Sequence, residues 1–138
     1  MTAEKKRLRH ESRAFKPPTV VVDLDPIKSA LLDGGATWAD ASRQSYDVIY
    51  GLVDDLLRAA GARVVVDTPS YWPQIHERLT AMADAASARY VFVECEAAEA
   101  VRAERLRTRA RRRSQVRSLG VDSVDAPADL DPVHLRPI

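Results

Sequence analysis

Two apolar runs in this chain end in carboxylates. Thr19-Val20-Val21-Val22 leads directly into Asp23-Leu24-Asp25-Pro26, and Val64-Val65-Val66 leads into Asp67. Residues two apart on a strand point to the same side, so Asp23 and Asp25 can serve one pocket as substrate anchor and general base if the strand continues through both. If the strand breaks first, Asp25 is the N-cap of a helix opened by Pro26 and the two side chains diverge. Asp67 completes a pattern of three apolar residues and an aspartate. That pattern suits a carboxylate beside a Mg²⁺ ion whose other ligands are phosphate oxygens and water. It equally suits a strand that simply ends in aspartate at a turn. Lys28 follows one helical turn after Asp25, and Arg43 stands near the start of a longer helix. Both are placed to reach the same rim, and both also read as surface residues.

The densest charge lies further on. Arg102, Arg105, Arg107, Arg109, Arg111, Arg112, Arg113 and Arg117 fall within one short stretch. Arg105 and Arg109 are four apart and share a face if the helix runs through both. Guanidinium forks match phosphate oxygens bidentately, which suits a lid over a triphosphate. A nucleic-acid patch and a solvated, salt-bridged helix are the alternatives. No aromatic residue interrupts the run, which argues against stacking on single-stranded bases.

These residues need a frame. Residues 4–16 are charged and rich in helix formers, and Pro17-Pro18 ends them. The β-branched runs at 19–22 and 64–66, with Tyr90-Val91-Phe92-Val93, read as three buried strands. Between the first two, a short helix Ile27–Leu32 stops at Gly34-Gly35. A long helix follows, capped by Thr37 with Asp40 three residues on, and closed by Gly61. Its apolar positions are Trp38, Ala41, Ser45, Ile49, Leu52, Val53, Leu56 and Ala60. A further helix from about Trp72 aligns Ile75, Leu79, Met82 and Ala86, and the last runs from about Ala97 into the arginines. Trp38 and Trp72 read as core or pocket wall. Strands alternating with helices imply a parallel α/β sheet, and strands apolar at every position imply that both its faces are covered. In such sheets ligands sit beyond the carboxyl ends of the strands, where Asp23 and Asp67 fall. The expected organisation is a basic, helical segment at 1–18, an α/β core at 19–117, and an irregular arm at 118–138.

Composition adds bounds. The 138 residues suffice for one domain, and 46 % apolar content supports a core. The net charge of +1 conceals an uneven distribution. Residues 1–17 carry six Lys/Arg against two Glu, and residues 97–117 carry eight Arg against two Glu, so the rest is acidic. The single cysteine, Cys95, excludes an internal disulfide, reads as a buried inert thiol and fits a reducing compartment. His10, His76 and His134 show no zinc spacing. No apolar run is long enough for a membrane span or a signal peptide, so a cytoplasmic location is expected.

The order of these pieces from Thr19 to Arg113 resembles the P-loop kinases of the zeta-toxin and chloramphenicol phosphotransferase type, often labelled AAA-family ATPases. The resemblance rests on VVVDLDPIK (20–28), the long helix through Leu56-Leu57 closed by Ala60-Gly61, VVVDTPSY (64–71), and Glu104-Arg105-Leu106 to Arg109. It implies a three-layer helix–sheet–helix fold with a mainly parallel sheet. It also implies transfer of the γ-phosphoryl group of ATP, with Mg²⁺, to a hydroxyl on a small molecule. On this resemblance Asp25 takes the acceptor's proton, Asp23 and Lys28 lie on the substrate side, Asp67 lies near the metal, and Arg105 and Arg109 touch phosphates; Arg43 is expected on the substrate side from its position alone. The family's motif G-x-x-x-x-G-K-[ST] occurs nowhere: the five glycines are Gly34, Gly35, Gly51, Gly61 and Gly120. The chain reads as starting just after that loop, without the family's central strand. Impaired ATP binding is the expectation. The alternative is a non-catalytic module for an anionic ligand, a partner or nucleic acid on the same fold. No membrane partner is expected.

Overall fold

The computed structural model describes residues 17–70, 72–110 and 112–114. The helix expected within residues 4–16 and the irregular arm at 118–138 lie outside these residues.

Strand β1 (Thr19–Asp23) pairs in parallel with β2 (Arg63–Asp67). Val20 lies opposite Val64, Val22 opposite Val66, and Asp23 opposite Asp67. A parallel pair needs a long crossover. It is supplied by α1 (Leu24–Asp33) and α2 (Trp38–Arg58), which pack on one another. Thr37 caps α2 as its sequence predicts. Its hydroxyl oxygen accepts from the Asp40 N–H at 3.1 Å and donates to Asp40 Oδ2 at 2.9 Å. Gly35 and Gly61 take φ of +94° and +57°, the left-handed reversals that follow α1 and α2 and that a Cβ disfavours. Helix α3 (Pro73–Ala85) begins on a proline, whose missing N–H would have no helical partner there.

The core forms where α2 and α3 meet the inner face of the strands. Val22, Leu24, Ile49, Val53, Ile75 and Leu79 are buried together, with Val64, Val66, Met82 and Tyr90 packed around them. Each such aliphatic side chain contributes roughly 1.5–3 kcal/mol through its removal from water. Ser45 also sits on the buried face of α2, and its hydroxyl donates to the Ser42 carbonyl at 2.8 Å, which removes the penalty of burying it.

Two expectations fail here, and a third is met in part. The described residues cover one face of the sheet, where Val22, Val64 and Val66 turn inward, while Val21 and Val65 are 61 % and 49 % exposed. Tyr90–Val93 forms no strand with any described residue, and Val93 is 73 % exposed. A strand is defined by its ladder, and apolar β-branched composition alone supplies no partner. The last helix, α4 (Glu99–Thr108), ends before Arg109, whose backbone is extended. Arg105 and Arg109 therefore do not share a helix face. Helix α4 buries no residue, and Ala98 offers no side-chain cap, so only local bonds such as Arg107 to Glu104 at 2.8 Å support it.

Candidate functional site

The carboxyl edge of the sheet collects the acidic residues. Asp23 and Asp67 end adjacent strands in register, about 4.8 Å apart along the hydrogen-bonding direction. The strand does break before Asp25, but the N-cap is Asp23 and not Asp25. Asp23 Oδ1 accepts from the Asp25 N–H at 3.0 Å, and Asp25 lies in the first turn of α1. Asp67 is the last residue of β2, so the ladder stops at Asp23 and the helix starts one residue later. Both carboxylates remain at the amino end of α1. Asp67 is exposed at the start of the Thr68-Pro69-Ser70 turn.

Lys28 is not at an exposed rim. It is 8 % exposed, and its Nζ lies 3.4 Å from the centre of the Trp38 ring at the start of α2. Burial pushes its pKa from 10.5 down to about 8, and the nearby Asp25 carboxylate opposes this only in part. Arg43 points along its own helix, pairing with Asp40 at 3.5 Å and Asp47 at 3.7 Å. Among the described residues, Arg105 and Arg109 form no ion pair. A shallow hollow before α4 is lined by Glu94, Cys95, Glu96 and Arg102, and by none of the three aspartates. Cys95 is exposed there, contrary to its expected burial, as are its neighbours Glu94 and Glu96. Trp72 is about half exposed, and meets Tyr46 edge-on.

Two contacts carry no sequence signal. His76 Nε2 donates to the Ser70 carbonyl at 3.3 Å, so in the neutral ring Nδ1 accepts from the Tyr90 hydroxyl at 2.8 Å. The ring meets Phe92 edge-on at 4.6 Å. One histidine thus ties the turn after Asp67 to the 90–92 segment. The second contact joins Ser114 to Asp25, with Ser114 Oγ 3.2 Å from Asp25 Oδ1.

A magnesium ion beside nucleotide phosphates needs one or two carboxylates and little else from the protein. Asp67 fits that requirement singly. No group of three or more His, Cys, Asp or Glu able to hold a metal occurs among the described residues. Residues 7–126 match the family model of an AAA domain. The chain belongs to this AAA domain family. The AAA domain identity makes the fold P-loop NTPase-like, in keeping with the α/β order and parallel strands, and supports nucleotide binding with kinase- or ATPase-like activity as its class of function. Comparison with curated proteins and with solved structures gave no match. Among the described residues of the AAA domain, no helix is long and apolar enough to cross a membrane.

Proposed function

We propose that this chain carries the acceptor side of an ATP-dependent small-molecule phosphotransferase, with nucleotide binding weakened by the lack of a G-x-x-x-x-G-K loop in its sequence. The observation that carries the reading is the gathering of Asp23, Asp25 and Asp67 at one carboxyl edge of a parallel pair. There Asp25 accepts the proton of an incoming hydroxyl. Asp23 fixes the Asp25 backbone, and Lys28 supplies a buried positive charge behind it. Asp67 would hold Mg²⁺, which when bound to ATP neutralises the phosphate charge. Arg105 and Arg109 supply phosphate contacts from the arginine segment. Such a site works through positioning and charge neutralisation. A three-layer fold in a cytoplasmic setting belongs to the same proposal, and the exposed apolar Val21 and Val65 support a second covering layer.

A calorimetric titration with Mg-ATP tests the nucleotide side. Millimolar or weaker affinity is expected, since the backbone N–H cradle and lysine normally hold the β- and γ-phosphates. Micromolar affinity would refute this account of the site. Phosphoryl transfer from ATP to a panel of nucleosides, sugars and aminoglycosides tests the acceptor side. Any rate found should fall by about 10²-fold or more in Asp25→Asn, and an unchanged rate would remove Asp25 from the chemistry.

One observation favours the alternative of a non-catalytic module: Arg105 and Arg109 lie exposed, on and just beyond a helix that buries no residue. Steeply salt-dependent binding to DNA or RNA would support it.

A further inference from the structure

Beyond α4 the chain turns back and docks on α1. Arg113 Nη1 donates to the Leu32 carbonyl at 2.9 Å and to Asp33 Oδ1 at 3.2 Å. Leu32 and Asp33 lie in the last turn of α1, where the Leu32 carbonyl also accepts from the Gly35 N–H at 3.0 Å, so the guanidinium adds a second donor at the helix C-terminus. The Ser114 N–H donates to Ser29 Oγ at 3.1 Å, and the Ser29 hydroxyl donates to Ser114 Oγ at 3.0 Å. The Ser114 hydroxyl in turn faces two oxygens of Asp25, the carbonyl at 3.0 Å and Oδ1 at 3.2 Å. Ser114 is 8 % exposed, although α4 just before it buries nothing. Four residues of α1 are thus engaged by two residues some 80 positions away.

We propose that Arg113 and Ser114 form a clasp that closes the arginine segment over Asp25, with the Ser114 hydroxyl standing where an acceptor hydroxyl would stand. The proposal rests on the reading of Asp25 as proton acceptor. A hydroxyl is the group that such a carboxylate is placed to receive, and the chain presents one of its own. The contacts that hold it are hydrogen bonds at a half-buried surface, each worth a modest factor, so the closed form is favoured and still reversible. An external acceptor gains access to Asp25 only when Ser114 leaves.

The test reads access to Asp25 without turnover. The full chain is treated with a water-soluble carbodiimide and glycine ethyl ester, and labelling is followed residue by residue by mass spectrometry. In Ser114→Ala and in Arg113→Gln, Asp25 labelling should rise about three- to tenfold, the factor expected from losing one or two hydrogen bonds. Asp40 and Asp54, exposed on α2, should label as in the unaltered chain. Ser114→Thr keeps the hydroxyl and should keep the slow rate. Equal Asp25 labelling in the chain and both variants overturns the proposal. So does a parallel rise at all three aspartates in both variants, which would make residues 113–114 a general tether. A failed kinase reading leaves this outcome intact, and a failed clasp leaves the Mg-ATP titration unaffected.

Discussion

Replacing Lys28 with methionine should remove a pH dependence of stability that the unaltered chain shows above neutrality. Lys28 is nearly enclosed, and burial lowers its pKa from 10.5 to about 8. The unfolded chain therefore binds a proton here that the folded chain releases across that interval. Stability rises with pH where the unfolded state holds more protons. The contribution is present in full above 10.5 and is lost as pH falls through about 8. The whole interval corresponds to about 3 kcal/mol. Contact with the Trp38 ring favours the charged form by about 0.5–2 kcal/mol, and solvent at the edge of the site screens more. The expected gain from pH 7 to 9.5 is therefore about 1 kcal/mol. The window must close near pH 10, because burial raises the pKa values of Tyr50 and Tyr90. Their contribution is present below the ordinary tyrosine value and is lost above it. Urea unfolding followed by the helical circular dichroism signal, at pH steps from 7 to 9.5, measures the effect. The unaltered chain should gain stability with pH, and Lys28→Met should stay flat and match or exceed it at pH 7. A flat profile for the unaltered chain, or a parallel rise in the variant, would refute the assignment of the cost to this ammonium.

Ile49→Ala should lower the unfolding free energy by about 2–5 kcal/mol, since Ile49 is fully buried between α2 and the strands; a loss below about 1 kcal/mol in urea would mean that this core is loosely packed. Thr37→Ala should cost about 1 kcal/mol by removing both hydrogen bonds that join the cap to Asp40. Thr37→Ser should retain most of that stability in the same assay.

Much of the frame was legible because it rests on local rules. Both valine runs became strands and stopped at their aspartates, Thr37 and Asp40 capped the long helix, and Gly35 and Gly61 turned the chain where a left-handed residue was required. The misreadings share a different cause, for each needed a neighbour that the local sequence does not name. Asp25 lost the capping role to Asp23 because the end of β2 decides where the ladder stops. Tyr90–Val93 has strand composition, yet among the described residues it meets a histidine and not a ladder. Lys28 reads as a rim residue because nothing local says that Trp38 will lie across it, which depends on how α1 and α2 pack. Arg109 was placed on a helix that lacks both a cap and a buried face and ends too soon. The engagement of Asp25 by Ser114 links residues 89 apart and has no local signature.

The acidic rim and the basic segment differ in how firmly they are held, and this shapes any reaction between them. Asp23 and Asp67 end hydrogen-bonded strands, and Asp25 opens a helix packed on α2, so the carboxylates are fixed before a ligand arrives. Arg102, Arg105 and Arg107 sit on a helix that buries nothing, and beyond it residues 113 and 114 dock on α1. Five residues of extended chain span at most about 17 Å, so a closed clasp confines the Arg109 backbone to that distance from Ser114 and keeps it near the rim. A phosphate bound by Arg109 would pull on the same short linker that holds Ser114 against Asp25. Phosphate capture and release of the internal hydroxyl are then mechanically linked, because one stretch of chain supplies both contacts. The clasp thus keeps the arginines near the carboxylates before a ligand binds, and it must yield when an acceptor takes the place of Ser114.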